Sequence, residues 1–214
     1  MGESRLQTII TELRNHAPYT FFGTLTGIVL FSLLRQLNAS REVSISLFWT
    51  LHPTHVLLSA LVTTAMYRLR GRRNFWATIL VGYFGSVGIA TLSDCIIPYI
   101  GEILLQLPHR GAHIGAIEKW YLVNPLAFAG IALGYWKPHT KIPHAGHVLL
   151  STWASLFHMM MALGNRVTVE TVVLIGAFLF LAVWVPCCTS DIVFPLLFVR
   201  PAQGEDGALH GHKH

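Results

Sequence analysis

The sequence predicts an all-α membrane protein of about six transmembrane helices, arranged as two inverted three-helix repeats. The first observation is composition: of 214 residues, 53% are hydrophobic and only 12% are charged. Mean hydropathy is +0.53, far above the average of water-soluble domains. The second is that apolar stretches approach or exceed about 20 residues, enough to cross a hydrocarbon core as helix. The third is a polar pattern that occurs twice within those stretches.

The charged residues lie between the apolar stretches and divide the chain. The expected spans are Tyr19 to Leu34, Ser44 to Tyr67, Phe75 to about Leu107, Trp120 to Trp136, about Ile142 to Leu163, and Thr168 to Val199. The expected segments are a cytoplasmic N-terminal segment (1–18), a first transmembrane repeat (19–107), an extracytoplasmic loop (108–119), a second transmembrane repeat (120–199) and a His-rich C-terminal tail (200–214).

Basic residues set the expected orientation. A basic run, Arg68 to Arg73, follows the second span, and short basic loops prefer the cytoplasm. Both termini are therefore expected in the cytoplasm, and the expected location is a bacterial inner membrane. The sequence pI of about 9.4 does not indicate nucleic-acid binding, because the basic residues are spread over the loops without an aromatic-interleaved patch.

Two short motifs occur once in each half, in the same order. His52–Ser59 (HPTHVLLS) matches His144–Ser151 (HAGHVLLS) at six of eight positions. Downstream, Ser93–Pro98 (SDCIIP) matches Ser190–Pro195 (SDIVFP). The first spans agree more loosely, with Gly27-Ile28 and Gly130-Ile131 in similar places. Two histidines followed by serine-aspartate and proline are hard to obtain twice from apolar composition, so the pattern indicates a duplication.

A repeat of three spans must place the second copy upside down relative to the first, which is the plan of many secondary transporters. The third span of each half is also longer than one crossing requires. Gly85, Gly88 and Pro98 interrupt the first of these, and Pro186 and Pro195 interrupt the second. Both third helices are therefore expected to be long and broken at the shared motif.

The duplicated polar residues predict a cation site inside the bilayer. Histidines three positions apart share one helix face, and a buried carboxylate needs a proton, a cation or a partner. Neutral imidazole is a common ligand for Zn²⁺ and Fe²⁺, and carboxylate oxygen suits Mn²⁺. The expected metal ligands are His52, His55, Asp94, His144, His147 and Asp191. They are expected either in one cavity or in two sites, one toward each membrane surface.

Other polar residues rank lower. Ser93 and Ser190 are expected as helix N-caps. His158 has no histidine counterpart in the first half, so a hydrogen-bonded core residue is preferred over a third ligand or a proton relay. The three cysteines (Cys95, Cys187 and Cys188) are expected as free thiols and not as ligands.

The function these residues favour is a permease for a divalent transition metal, coupled to protons, with Zn²⁺, Mn²⁺ or Fe²⁺ as the bound ion. One alternative is an intramembrane metalloenzyme with a mono- or dinuclear His/Asp site. The other is a b-type haem electron carrier, which would explain the histidines but not the aspartates. The expected partners are the metal ion and the lipid bilayer, with a homodimer as an option.

Overall fold

The computed structural model describes residues 5–69, 74–138, 141–164 and 168–188, and these parts of the chain contain helices and no strand. The helices are α1 (Arg5–Gln36), α2 (Arg41–Leu69), α3 (Phe75–Leu104), the short α4 (Gly115–Glu118), α5 (Trp120–Trp136), α6 (Lys141–Ala162) and α7 (Val169–Cys188).

Four described helices are long and apolar enough to cross a membrane: Ala17–Gln36 within α1, α2, α3, and Val169–Cys187 within α7. This supports an integral membrane protein of the all-α class. Helices α5 and α6 lie where the fourth and fifth spans are predicted, but α5 has only 17 residues. Between residues 151 and 162 of α6, every side chain except Trp153 is buried. Ser151, Ser155 and His158 are therefore shielded from lipid by the other helices.

Helices α2 and α6 form the centre of the bundle and run antiparallel. Near the start of α2, the Arg41 side chain donates from Nε to the Met161 carbonyl at 2.8 Å. Further along α2, His55 stacks on His147, with ring centroids 5.5 Å apart. The start of α2 therefore lies beside the end of α6, and the middle of α2 lies beside the first part of α6.

Helix α5 packs closely against α2 through two glycines one turn apart. A Cβ at Gly130 would lie 2.9 Å from the Cβ of Ala60 and would collide with a backbone carbonyl of α2. A Cβ at Gly134 would lie 3.1 Å from the Cβ of Thr64. Paired small residues let helix backbones approach in this way inside membranes.

Helix α1 packs against α6 through a second pair of glycines with the same spacing. A Cβ at Gly23 would lie 2.9 Å from Oγ1 of Thr152, and one at Gly27 would lie 3.6 Å from Cδ2 of Leu156. The two outer helices α1 and α5 therefore contact the two central helices by the same kind of surface.

The expected break in α3 is replaced by two π-helical turns, Phe84–Gly88 and Leu92–Ile96. The helix continues through both turns to Leu104, so the first long third span is continuous. Pro98 lies in the first turn of the α-helical part that follows, where its missing N–H disrupts least. In the second half, α7 is described to Cys188, so the region around Pro195 lies outside the described residues.

Candidate metal centre

The centre of the site is Asp94, which lies in the second π turn of α3 and is fully buried. Its two carboxylate oxygens accept four hydrogen bonds from described residues. Oδ1 accepts from the hydroxyls of Ser93 at 2.7 Å and Ser151 at 2.8 Å. Oδ2 contacts Nδ1 of His55 at 2.7 Å and Nδ1 of His52 at 2.9 Å. A carboxylate stays ionised in an apolar interior only with such a set of donors.

The two histidines reach the same oxygen because they lie three positions apart on one face of α2. With Asp94 ionised, both rings donate from Nδ1, and the neutral tautomer then leaves the lone pair on Nε2. Nε2 of His52 is buried and has no hydrogen-bond partner among the described residues. It faces Gly115, where a Cβ would collide with the imidazole ring. A glycine at the start of α4 therefore makes room for the His52 ring.

A serine network attaches α6 to the aspartate. Besides the bond from Ser151, the hydroxyl of Ser155 donates to the backbone carbonyl of Ser93 at 3.0 Å. Ser93 was expected to cap a helix; it instead lies inside the π turn and donates to the Asp94 side chain. The carboxylate is thus held by side chains from α2, α3 and α6.

Among the residues that the structure describes, two groups of three have ligand atoms within 4.8 Å of one another. The first is His52, His55 and Asp94, and the second is His55, His147 and Cys187. All five residues are buried, and His55 belongs to both groups. The His55 and His147 rings are stacked nearly parallel, at an interplanar angle of 11°. The arrangement can hold a cation on either side of the His55 ring.

Of the six expected ligands, His52, His55, Asp94 and His147 lie in one connected cluster. The side chain of His144 and all of Asp191 lie outside the described residues. Sequence reasoning missed Ser151 and excluded Cys187, which is buried and forms no disulfide, as expected, but lies beside two histidines. Ser151 could have been identified from the sequence, because it is the last residue of the motif that matches His52–Ser59.

A second buried carboxylate, Glu102 near the end of α3, was not recognised from the sequence. Its Oε1 contacts Nδ1 of His158 at 2.8 Å, and its Oε2 accepts from the backbone N–H of Gly111 at 3.1 Å. The other nitrogen of His158 donates to the Ala112 carbonyl at 3.1 Å. The expectation of a hydrogen-bonded core histidine at position 158 is therefore confirmed.

Phe48 lies between the two clusters. Its ring stacks on His52 at a centroid distance of 5.4 Å and meets His158 edge-on at 5.2 Å. Phe48 is fully buried, so an apolar ring separates the Asp94 cluster from the Glu102 cluster.

No protein family, no curated protein and no solved structure matches the chain. The geometry of the site is therefore the basis for inferring function.

Proposed function

We propose that this protein is a permease for a divalent transition metal, with Zn²⁺, Mn²⁺ and Fe²⁺ as candidate ions. The observation that carries the proposal is the contact of two histidines with one fully buried aspartate inside helices long enough to span a bilayer. Ionisable residues at such positions are costly and usually serve ions or protons that cross the membrane. Four hydrogen-bond donors around one carboxylate are also more than the packing of helices against one another requires.

Proton coupling follows from the same contacts. In the ion-free arrangement, the Nδ1 protons of His52 and His55 fill the space between the two rings and Asp94. A cation bound by these two nitrogens and the carboxylate oxygen would displace both Nδ1 protons: a neutral ring would keep its proton on Nε2, and a ring protonated on both nitrogens would release one proton. The metal therefore competes with the cationic form of the two histidines, and a proton gradient can drive the metal in the opposite direction.

The inverted repeat is part of this proposal, and the helix contacts support it. When the match between the two motifs is extended by one residue, Ala60 aligns with Thr152. Ala60 packs against Gly130 in α5, and Thr152 packs against Gly23 in α1. One turn further along, the contacts repeat with Thr64 against Gly134 and with Leu156 against Gly27. This register aligns Gly27 with Gly134 instead of the expected Gly130.

The stacked histidines support the same symmetry. His55 and His147 are aligned in the repeat, and they also touch in the structure. Two equivalent residues of antiparallel helices meet in this way where a two-fold axis passes between them. We place the axis of the proposed repeat there, in the plane of the membrane.

The symmetry extends the proposed site to the second half. Asp191, with His144 and His147, is proposed to form a counterpart of the Asp94 cluster. Ser59, which aligns with Ser151 and is buried in α2, is the proposed hydroxyl donor from the opposite half. Each aspartate would then be held by both halves, so a movement of one half against the other changes both sites.

The orientation follows from charge. With both termini in the cytoplasm, the end of α2 and the basic run from Arg68 to Arg73, which begins in its last turn, also face the cytoplasm. A bacterial inner membrane is the proposed location. Cysteine labelling from each side of intact cells tests this orientation, and an outward-facing terminus would contradict it.

The haem alternative gains no support from the geometry. Ring nitrogens bind metal in the plane of the ring, whereas the His55 and His147 rings face each other. Their lone pairs therefore do not point at a common iron between the rings. The metalloenzyme alternative uses the same ligands as the permease, so only an experiment separates the two.

The test uses full-length protein purified without a histidine tag. Elemental analysis is expected to find a transition metal, and vesicles containing the protein are expected to take up that metal when a pH gradient is imposed. Protein without bound metal and without uptake above empty vesicles would overturn the proposal. Bound metal without uptake would favour the enzyme, and a haem absorption spectrum would favour the electron carrier.

A further inference from the structure

We propose that His55, His147 and Cys187 form a second metal site that adjoins the Asp94 site, and that its thiolate selects Zn²⁺ over Mn²⁺. This inference rests on the proposed permease and names the ion it carries. The three ligand residues come from α2, α6 and α7, and all three are buried.

The distances suit a zinc site after a small contraction. The ligand atoms lie within 4.8 Å of one another. Zinc bonds of roughly 2.1 Å to nitrogen and 2.3 Å to sulfur, at a tetrahedral angle, place such atoms about 3.6 Å apart. Side-chain shifts of roughly 1 Å, together with a rotation of the stacked His147 ring that points its lone pair at the ion bound by His55, close the difference. A water molecule or a fourth residue would complete the tetrahedron.

His55 is already oriented for this role. Its Nδ1 contacts Asp94 at 2.7 Å, so Nε2 is the nitrogen left to bind a metal beside His147. Metal-binding histidines usually make such a bond from their other nitrogen to a carboxylate, which fixes the ring and strengthens the ligand. Asp94 therefore serves the second site through His55, without touching the ion.

Because His55 belongs to both sites, a single ion can occupy the two sites one after the other. In the Asp94 site the ion uses Nδ1 of His55, and in the second site it uses Nε2. The ion thus passes from one half of the protein to the other by changing sides of a single ring. Binding at the second site releases the thiol proton of Cys187, because the thiolate is the form that binds metal.

The Cys187 thiolate limits which metal ions the second site is expected to bind. One sulfur with two imidazoles is a donor set typical of Zn²⁺, whereas Mn²⁺ prefers oxygen ligands. Cd²⁺ is a suitable probe, because its bond to thiolate gives an ultraviolet charge-transfer band. Cys95 provides a matched control: like Cys187 it is a buried cysteine that forms no disulfide, but it belongs to neither group of three.

The experiment titrates Cd²⁺ and Zn²⁺ into tag-free full-length protein in detergent, for the wild type and for Cys187→Ser, Cys95→Ser and Cys188→Ser. We expect the thiolate band in all proteins except Cys187→Ser, whose Zn²⁺ affinity should fall by about 10-fold to 100-fold. Size-exclusion chromatography and the helical circular dichroism signal check that each variant is folded.

A band that survives in folded Cys187→Ser, or that disappears only in Cys188→Ser, would overturn the second site. Uptake of Mn²⁺ or Fe²⁺ without any thiolate band would also overturn it while leaving the permease intact. If no protein binds metal by any readout, both proposals fail together.

Discussion

Asp94 and Glu102 are two buried carboxylates on the same helix, and each contacts histidine, but their surroundings differ. Both nitrogens of His158 are engaged, one by Glu102 and the other by the Ala112 carbonyl. Around Asp94, by contrast, His52 keeps a buried Nε2 without a hydrogen-bond partner among the described residues. Both ring nitrogens of the histidine beside Glu102 thus have hydrogen-bond partners, whereas one histidine beside Asp94 has a ring nitrogen without a partner among the described residues.

The difference separates a structural role from a functional one. Glu102 and His158 form hydrogen bonds with the backbone of the segment between α3 and α4. In the same segment, the backbone N–H of His109 donates to the Ala162 carbonyl. These bonds attach the segment to the ends of α3 and α6. The Asp94 cluster binds side chains almost exclusively, so its partners can exchange a proton or a metal without unfolding the backbone.

The largest effect is expected for Asp94→Asn. The amide keeps the shape of the carboxylate but lacks its charge, so the two histidines lose their common acceptor. Metal affinity and uptake should fall by about 100-fold or more, with little loss of folded protein. Isothermal titration in detergent and vesicle uptake measure the two quantities. Normal uptake by both Asp94→Asn and Asp191→Asn would remove the basis of the metal site.

A smaller effect is expected for Ser151→Ala. This change removes one of the two hydroxyls that bind Oδ1 of Asp94 but leaves both histidine contacts. A hydrogen bond to a charged group contributes about 1.5 kcal/mol, which corresponds to roughly a tenfold loss of metal affinity. Ser32→Ala, at an exposed serine of α1, is the control. Equal affinity in both variants would show that Ser151 does not position the carboxylate.

Gly115→Ala tests the space beside His52. The added methyl group would collide with the imidazole, whereas an alanine at Gly88 would meet no atom within 4 Å. Crowding of this kind costs on the order of 1 kcal/mol, so metal affinity should fall about fivefold in Gly115→Ala. Gly88→Ala is expected to bind metal like the wild type. If the two variants bind alike, the position of the His52 ring does not affect ion binding.

The smallest effect on metal is expected for Glu102→Gln, which is the matched counterpart of Asp94→Asn. The free energy of unfolding should fall by about 1–2 kcal/mol, since a charge-assisted bond becomes a neutral one. Thermal unfolding in detergent measures this loss, and uptake should remain near that of the wild type. A loss of uptake as large as that of Asp94→Asn would end the distinction between the two clusters.

The Asp94 cluster could be predicted in large part because its residues repeat. A duplicated His-x-x-His and a duplicated Ser-Asp identify polar residues that apolar composition does not produce, and helix geometry places His52 and His55 on one face. The contact between His55 and His147 could not be predicted from the motifs alone, because it depends on which faces of α2 and α6 pack together.

The Glu102 cluster could not be predicted from local sequence. Its partners are a histidine on α6 and backbone groups of an irregular segment, and neither periodicity nor a motif connects them. The π turns were missed for a related reason. Gly85 and Gly88 lie in the first π turn and Pro98 follows the second, so these residues mark irregular turns of a continuous helix. Whether such residues break a helix or widen one turn depends on the packing around them.

The two π turns of α3 also affect how the length of this helix can change during evolution. A π turn accommodates one extra residue without a loop, so removing a residue from Phe84–Gly88 could restore a regular α-helical turn. The side chains upstream of that residue would rotate by about 100° relative to Asp94 while the span stayed continuous. Distant homologues can therefore differ by a residue within this span, and alignments that forbid gaps inside transmembrane helices would misplace the aspartate.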